Sequence, residues 1–375
     1  MQFPDYKSID LTKTNLKWGY YVPGLIEQYR PDIELIGIYL DLSDYCDHNG
    51  HLIKHHDEAD YSWLPQKIDQ ALKANKKIGL VVEDEHTTFF QNKQLIDIVN
   101  QYQNQPVYWL TQHFPKNIKK HYQDGYGLQC KMLEFPWVIL NECLMYDKVK
   151  PTVVSRTNMI PNGQNNFFAL AGRYEPWRKR FLEKLIEHDL HNHGKITVLN
   201  TPDRANYNLE FNVVLDSSIP YSNQPNKLHA KMAAQFLKKN TWISCNTANF
   251  LHLEQNYRNY PLTIIPETHF ADYFSTEKSV WPILLGKLFL IFGSDGCMKY
   301  IQRFYDIDMS EFLNLEFDDM KNIELKMESM IKSNKDFILN SHRVYAKYYQ
   351  QIQHAKHTIG PNLYQFLLHQ IDQIQ

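Results

Sequence analysis

Apolar positions along this chain switch repeatedly between two spacings. Ile33 to Leu40 is apolar and β-branched enough for a buried strand, and Trp63, Lys67, Ile68, Ala71 and Leu72 then fall at helical spacing. Ile78 to Val82 reads as a second buried strand, Leu95, Ile96, Ile98 and Val99 as a helix, and Val107 to Leu110 as a third strand. Strands separated by helical segments are the rhythm of a parallel sheet with crossover helices. Phe135 to Met145 predicts a further helix, and the polar stretch Asp147 to Pro151, ending in proline, predicts a linker.

The alternation resumes beyond it. Strands are predicted at Phe167 to Ala171, Ile196 to Leu199, Phe211 to Leu215, Trp242 to Cys245, Leu262 to Ile265 and Leu288 to Phe292, with helices at Pro176 to His188 and around Leu228 to Leu237. From Glu311 onward strand signals vanish, and Met320 to Ile331 and Asp336 to Ala355 read as helices. A chain of 375 residues is expected to split, since single cores stop growing at about 250 to 300 residues. The expected fold class is α/β, with two Rossmann-like domains facing across a cleft. Residues 1–150 would form the N-terminal domain, 151–335 the C-terminal domain, and 336–375 C-terminal helices that return to the first domain.

Composition narrows the classes. A formal net charge of −2 offers no basic footprint for nucleic acid. The five cysteines are odd in number, widely spaced and without a Cys-x-x-Cys pair, which argues against a disulfide framework or zinc ribbon and for a reducing cytoplasm. The start Met1-Gln2-Phe3-Pro4-Asp5 has no signal-peptide character, and no run reaches the roughly 18 apolar residues of a membrane span. The expected location is cytoplasmic. The 24 tyrosines would suit either a sugar-binding cleft or an ordinary core.

Candidate chemistry concentrates around Glu267-Thr268-His269-Phe270, Ser275-Thr276-Glu277-Lys278 and the apolar run from Trp281 to Gly293. A helix opening near Ser275 would present unpaired N–H groups and partial positive charge to a diphosphate. Lys278 would add a full charge, and Glu277 could accept hydrogen bonds from two ribose hydroxyls. Pro282 lacks the N–H that would bond back to Lys278, which predicts a loosened turn. The plainer alternative is an ordinary cap, a first-turn acid and a solvated lysine.

These residues resemble the donor-binding segment of the α-1,3-fucosyltransferase family and its bacterial and phage-encoded relatives. There, a Phe-Glu-Asn element precedes Tyr-x-Thr-Glu-Lys, a helix ending in Ala-Gly, and an apolar strand ending in Gly. The matching positions here are Glu267, Phe274 to Lys278, Leu285-Gly286 and Gly293. A second partial match runs from Phe167 to Arg173 and on through Arg178-Lys179-Arg180-Phe181, so that the resemblance covers about residues 165–300. It departs where Thr268 and His269 follow Glu267, where Phe274-Ser275 stands for the tyrosine, and where the asparagines expected before Arg173 are missing. What it implies is a two-domain, metal-independent glycosyltransferase of GT-B-like build that needs no cofactor, takes a nucleotide-sugar donor in the domain of residues 151–335, and binds its acceptor in that of residues 1–150. It also implies a surface-polysaccharide, lipooligosaccharide or lipid-linked glycan acceptor, the last bringing peripheral contact with the inner membrane face.

On that basis Arg173, Arg178, Lys278 and the Ser275-Thr276 helix start are expected at the donor diphosphate, Glu277 at the ribose, and Glu267 at the sugar or ribose. A cationic surround could stabilise the leaving diphosphate without a metal. An inverting transfer also needs a base on the acceptor hydroxyl, for which Glu83, Asp84 and Glu85 at a strand end are the candidates, with His86 and His113 as substitutes. An acidic loop capping the next helix would explain the same three acids.

Two rival readings remain. Asp306-Ile307-Asp308 could hold a divalent cation in a metal-dependent glycosyltransferase, or form a turn. Alternatively, the pocket could belong to a non-catalytic glycan- or nucleotide-binding protein. Histidine clusters at His51, His55 and His56 and at His188, His191 and His193 lack a strong metal spacing.

Overall fold

The computed structural model describes residues 26, 28–38, 60–82, 92–111, 121–137, 139–140, 142–143, 166–172, 176–200, 216–220, 260–267 and 277–375. The chain divides into two compact units, one of residues 1–141 with 363–375 and the other of residues 142–362. The predicted linker lies outside the described residues, as do the predicted strands at Phe211 to Leu215 and Trp242 to Cys245 and the helix between them.

The first unit is built on a four-stranded parallel sheet of β1 (Ile33–Ile38), β2 (Lys77–Val82), β3 (Val107–Thr111) and β4 (Lys131–Glu134), with α1 (Leu64–Lys73) between β1 and β2 and α2 (Lys93–Asn100) between β2 and β3. Strands lie in chain order and pair in parallel, Leu80 opposite Ile36 and Trp109. β2 and β3 are buried almost throughout, as strands covered on both faces must be. The Asn92 side chain accepts from Leu95 N at 3.0 Å and so starts α2. β4 escaped prediction because Lys-Met-Leu-Glu is neither an apolar run nor an alternating one; its pairing with β3 makes it a strand.

The second unit carries a five-stranded parallel sheet of β5 (Phe167–Gly172), β6 (Gly194–Asn200), β7 (Asp216–Pro220), β8 (Leu262–Pro266) and β9 (Leu288–Phe292). Helix α3 (Pro176–Glu187) follows β5, α4 (Glu277–Leu284) joins β8 to β9, and α5 (Cys297–Gln302) follows β9. Proline is the first residue of α3, where its fixed φ favours the helix and its missing N–H has no bond to lose. The helix α4 runs through Pro282, which sits in its second turn, and continues to Leu284. It ends in a Schellman motif. Gly286, at φ +64, donates to Ile283 O at 2.8 Å and Lys287 donates to Pro282 O at 2.8 Å. A left-handed residue without Cβ is what the sharp entry into β9 requires, and a Cβ there would strike the Gln353 amide.

From Ile323 to Asp372 the chain forms four helices in succession: α6 (Ile323–Ser333), α7 (Lys335–Leu339), α8 (Ser341–Lys347) and α9 (Tyr349–Asp372). The single helix predicted from Asp336 to Ala355 is broken at Asn340 and Tyr348, and its last piece runs on to Asp372. From Leu363 onward the chain belongs to the first unit. There Arg30 bonds Asp372 at 3.0 Å, and the Tyr108 hydroxyl both donates to Gln375 O and accepts from Gln375 N. Among the described residues, no helix is long and apolar enough to cross a membrane.

Candidate functional site

The strand order of the second sheet is β7-β6-β5-β8-β9. The chain builds outward from β5 through β6 and β7, then returns to the other side of β5 with β8 and continues to β9. Parallel α/β sheets bind ligands at such a reversal, beyond the carboxyl ends of the two strands that flank it, here β5 and β8. The described strands of the first sheet contain no reversal.

Glu267 is the first residue past β8. Its N–H donates to Phe292 O at 2.8 Å, carrying the β8–β9 pairing one residue further. Helix α3 enters against the same end: Arg178 Nε donates to Pro266 O and Trp177 Nε1 donates to Glu267 O, each at 3.2 Å. From α4, the Ser279 hydroxyl donates to the Glu267 carboxylate. Glu267 therefore ties together the start of α3, the end of β9 and the first turn of α4. A Cβ on Gly293, the first residue past β9, would stand 3.5 Å from the Glu267 Cβ.

Burial sorts these residues. Glu267, Arg178, Ser279 and Ser294 are enclosed, whereas Trp177 and Lys278 are partly exposed. The enclosed residues fasten the strand end.

The turn Gly293-Ser294-Asp295-Gly296 is held from behind. Lys326, 1% exposed, donates to Ser294 O and Asp318 O at 3.0 Å and lies 3.4 Å from an Asp295 carboxylate oxygen. The fully enclosed Asp318 carboxylate accepts from Met298 N and Lys299 N at 3.2 and 3.0 Å, so the start of α5 is already capped from within the chain. Burial pushes the Asp318 carboxyl up to about 6, while the two N–H groups and Lys326 pull the other way. Ser294 Oγ, also enclosed, has no hydrogen-bond partner among the described residues.

The sequence-predicted site residues fall into three groups. Glu267 and Arg178 meet at the reversal; Arg178 is enclosed there and its Nε serves a backbone carbonyl. Glu277 opens α4 and Lys278 follows it, next to the Ser279 that reaches Glu267. Arg173, Ser275, Thr276, Glu83, Asp84 and Glu85, together with His86 and His113, lie outside the described residues. Sequence reasoning passed over Trp177 and Ser279. Their signal was position alone: an aromatic directly after the proline that opens a helix behind a strand, and a small hydroxyl on an otherwise apolar helix.

Asp306 and Asp308 are engaged elsewhere. Asp308 accepts from Ser310 N at 2.9 Å and Ser310 Oγ at 2.6 Å, which holds its carboxyl below the usual aspartate range, and Asp306 lies 3.2 Å from His354 Nε2. His188 pairs with Glu328 at 3.1 Å. Among the described residues no group of three or more histidine, cysteine or carboxylate side chains could hold a metal ion.

No protein-family model matches this sequence, and no curated protein matches it. Among solved structures it is similar to an α,α-trehalose 6-phosphate synthase from Burkholderia multivorans, at 9% identity over 84% of this chain and 70% of that one, with a TM-score of 0.39. It is also similar to a UDP-forming α,α-trehalose-phosphate synthase from Burkholderia xenovorans solved with glucose-6-phosphate, at 10% identity over 88% and 77%, with a TM-score of 0.32. Likeness this loose assigns no role to any residue.

Proposed function

We propose that this chain is a glycosyltransferase that moves a sugar from a nucleotide-sugar donor to a glycan hydroxyl, with inversion and without a metal. The observation that carries the reading is the placement of Glu267: it stands at the β5/β8 reversal, with the opening of α4, and so Glu277 and Lys278, fastened to it through Ser279. A ligand seated beyond those strand ends would meet that helix opening. The motif resemblance covers the same residues.

In this reading Lys278 and Arg173, with the Ser275-Thr276 segment, neutralise the donor diphosphate as it leaves, and Glu277 holds the ribose. Glu267 contributes first as the strut that sets α4 in place, and one of Glu83, Asp84 and Glu85 takes the proton of the acceptor hydroxyl. The acceptor would be a surface polysaccharide, a lipooligosaccharide or a lipid-linked glycan, the last bringing the protein to a membrane surface. The competing Asp306/Asp308 metal reading finds no support in the local geometry, because Asp308 caps the turn that follows it.

A thermal-shift screen against GDP, UDP and CMP sugars tests the reading, since a ligand bound by the native state alone raises the melting temperature with the logarithm of its concentration. One nucleotide class should raise it, and the same sugar nucleotide should be hydrolysed or transferred. Binding without any turnover would favour the non-catalytic alternative, and no shift with any nucleotide would remove the proposal.

A further inference from the structure

We propose that Glu142 is a positioning residue that sets helix α4 in place for the nucleotide. The inference rests on the nucleotide reading above and adds to it a residue 139 positions away from its contact on that helix. Trp281, in α4, donates its indole N–H to the Glu142 carboxyl at 3.0 Å, and both residues are buried. Glu142 is the first residue of the second unit, so the bond lies wholly inside that unit.

With eight residues, α4 makes only about two turns, and helices this short owe their stability and position to tertiary packing. Pro282 weakens it further, because proline has no N–H to give to the carbonyl of Lys278. Two side chains hold the opening half of the helix: Ser279 donates to the Glu267 carboxyl and Trp281 to the Glu142 carboxyl. They stand two positions apart, which is about 200° around a helix. A single bond is a pivot, whereas two on nearly opposite sides fix rotation as well as place. Glu277 and Lys278 open the same helix just before both tethers and are set by them. At the far end Gly286 O accepts from the Tyr345 hydroxyl at 2.9 Å and from Gln353 Nε2 at 3.3 Å, so that end is held without Glu142.

The test is a calorimetric titration of the full-length protein and of its variants with GDP, UDP and CMP, at a temperature where each protein is folded. Glu142→Gln keeps an acceptor oxygen, Glu142→Leu removes it, and Trp281→Phe keeps a ring and removes the donor. For the nucleotide that wild type binds, Glu142→Leu and Trp281→Phe should each lose roughly three- to tenfold in affinity, the scale of one hydrogen bond. The double variant Glu142→Leu/Trp281→Phe should lose no more than the weaker of the two, because both act through one bond. Glu142→Gln should stay within about twofold of wild type. A role in stability alone would lower melting temperatures and leave all these affinities equal.

Wild-type affinity in either Glu142→Leu or Trp281→Phe overturns the positioning role while leaving the nucleotide reading in place. Losses that multiply in the double variant also overturn it, because the two residues would then act separately. So does a glutamine variant as weak as leucine, since the acceptor oxygen would not be what matters. Wild type that binds no nucleotide removes the underlying reading, and the positioning role with it. If Glu142→Leu does not fold, Trp281→Phe, which loses only the donor and part of the ring, decides the question against wild type.

Discussion

The hydroxyl of Ser279 donates to the carboxylate of Glu267, and both side chains are wholly enclosed, so the first turn of α4 is fastened to the end of β8 by a hydrogen bond away from water. Such a bond matters mostly through what its loss leaves behind. Ser279→Ala would take a donor from a buried carboxylate, at a cost of about 1–3 kcal/mol. Urea unfolding should show that loss, and the nucleotide class found by thermal shift should bind Ser279→Ala less tightly, because Lys278 would lose its fixed seat.

Lys278→Ala is expected to reduce affinity for the same nucleotide by about tenfold or more, the scale of a charge-assisted phosphate contact. Its melting temperature without ligand should stay close to that of wild type, since the residue is partly exposed. Turnover should survive EDTA. Unchanged nucleotide affinity in this variant would place the diphosphate elsewhere.

Asp318 makes a prediction about pH. Its carboxyl is raised by burial to about 6 from an ordinary 3.8, so between these values the folded chain holds a proton that the unfolded chain does not. The stability this group contributes therefore grows as pH falls through that window, and is least where the carboxylate is ionised. Replacing it by asparagine removes the titration. From about pH 7 to about pH 4.5, unfolding free energy should shift in favour of wild type over Asp318→Asn by on the order of 2 kcal/mol. Urea denaturation across that range measures it, and a constant difference would mean that the carboxyl titrates normally.

Lys326→Met probes the same clamp from the other side. The ammonium is buried against two backbone carbonyls and an Asp295 oxygen. Without it the two carbonyls stay enclosed beside the Asp318 carboxylate, and a loss of about 3 kcal/mol or more is expected. Chemical denaturation would report it.

A chain ending at Asn362 should not yield a stable first unit. Leu363, Tyr364, Leu367, Leu368, Ile371 and Ile374 are each 2% exposed or less. At roughly 1.5–3 kcal/mol for each buried side chain, their removal rivals the whole net stability of a domain, about 5–15 kcal/mol. Soluble yield and a melting curve test this; a native-like melt would show that the first unit is complete without them.

Much of the architecture could be read from the linear pattern. The strands at 78–82, 107–110, 167–171, 262–265 and 288–292 fall within those observed, because strands buried on both faces need continuous apolar runs and leave a direct mark. Gly286 marked the end of α4 because only a residue without Cβ takes that left-handed turn without strain. The break of the last helices at Asn340 and Tyr348 had no such mark, since neither residue forbids helix and packing decides the angle.

For the candidate site, the sequence alone determined which chemistry is at hand: an acid past a strand, then an acid and a lysine at a helix opening. It did so because strand ends and helix starts are local events set by neighbours a few residues away. The order β7-β6-β5-β8-β9, which puts the end of β8 beside β5, joins residues almost a hundred positions apart, and no local pattern records it. Only the tertiary structure could decide that Trp177 and Arg178 serve the carbonyls of Glu267 and Pro266 and that Ser279 holds the Glu267 carboxylate. Those bonds depend on which strands become neighbours, and that is settled by burying both faces of the sheet at once.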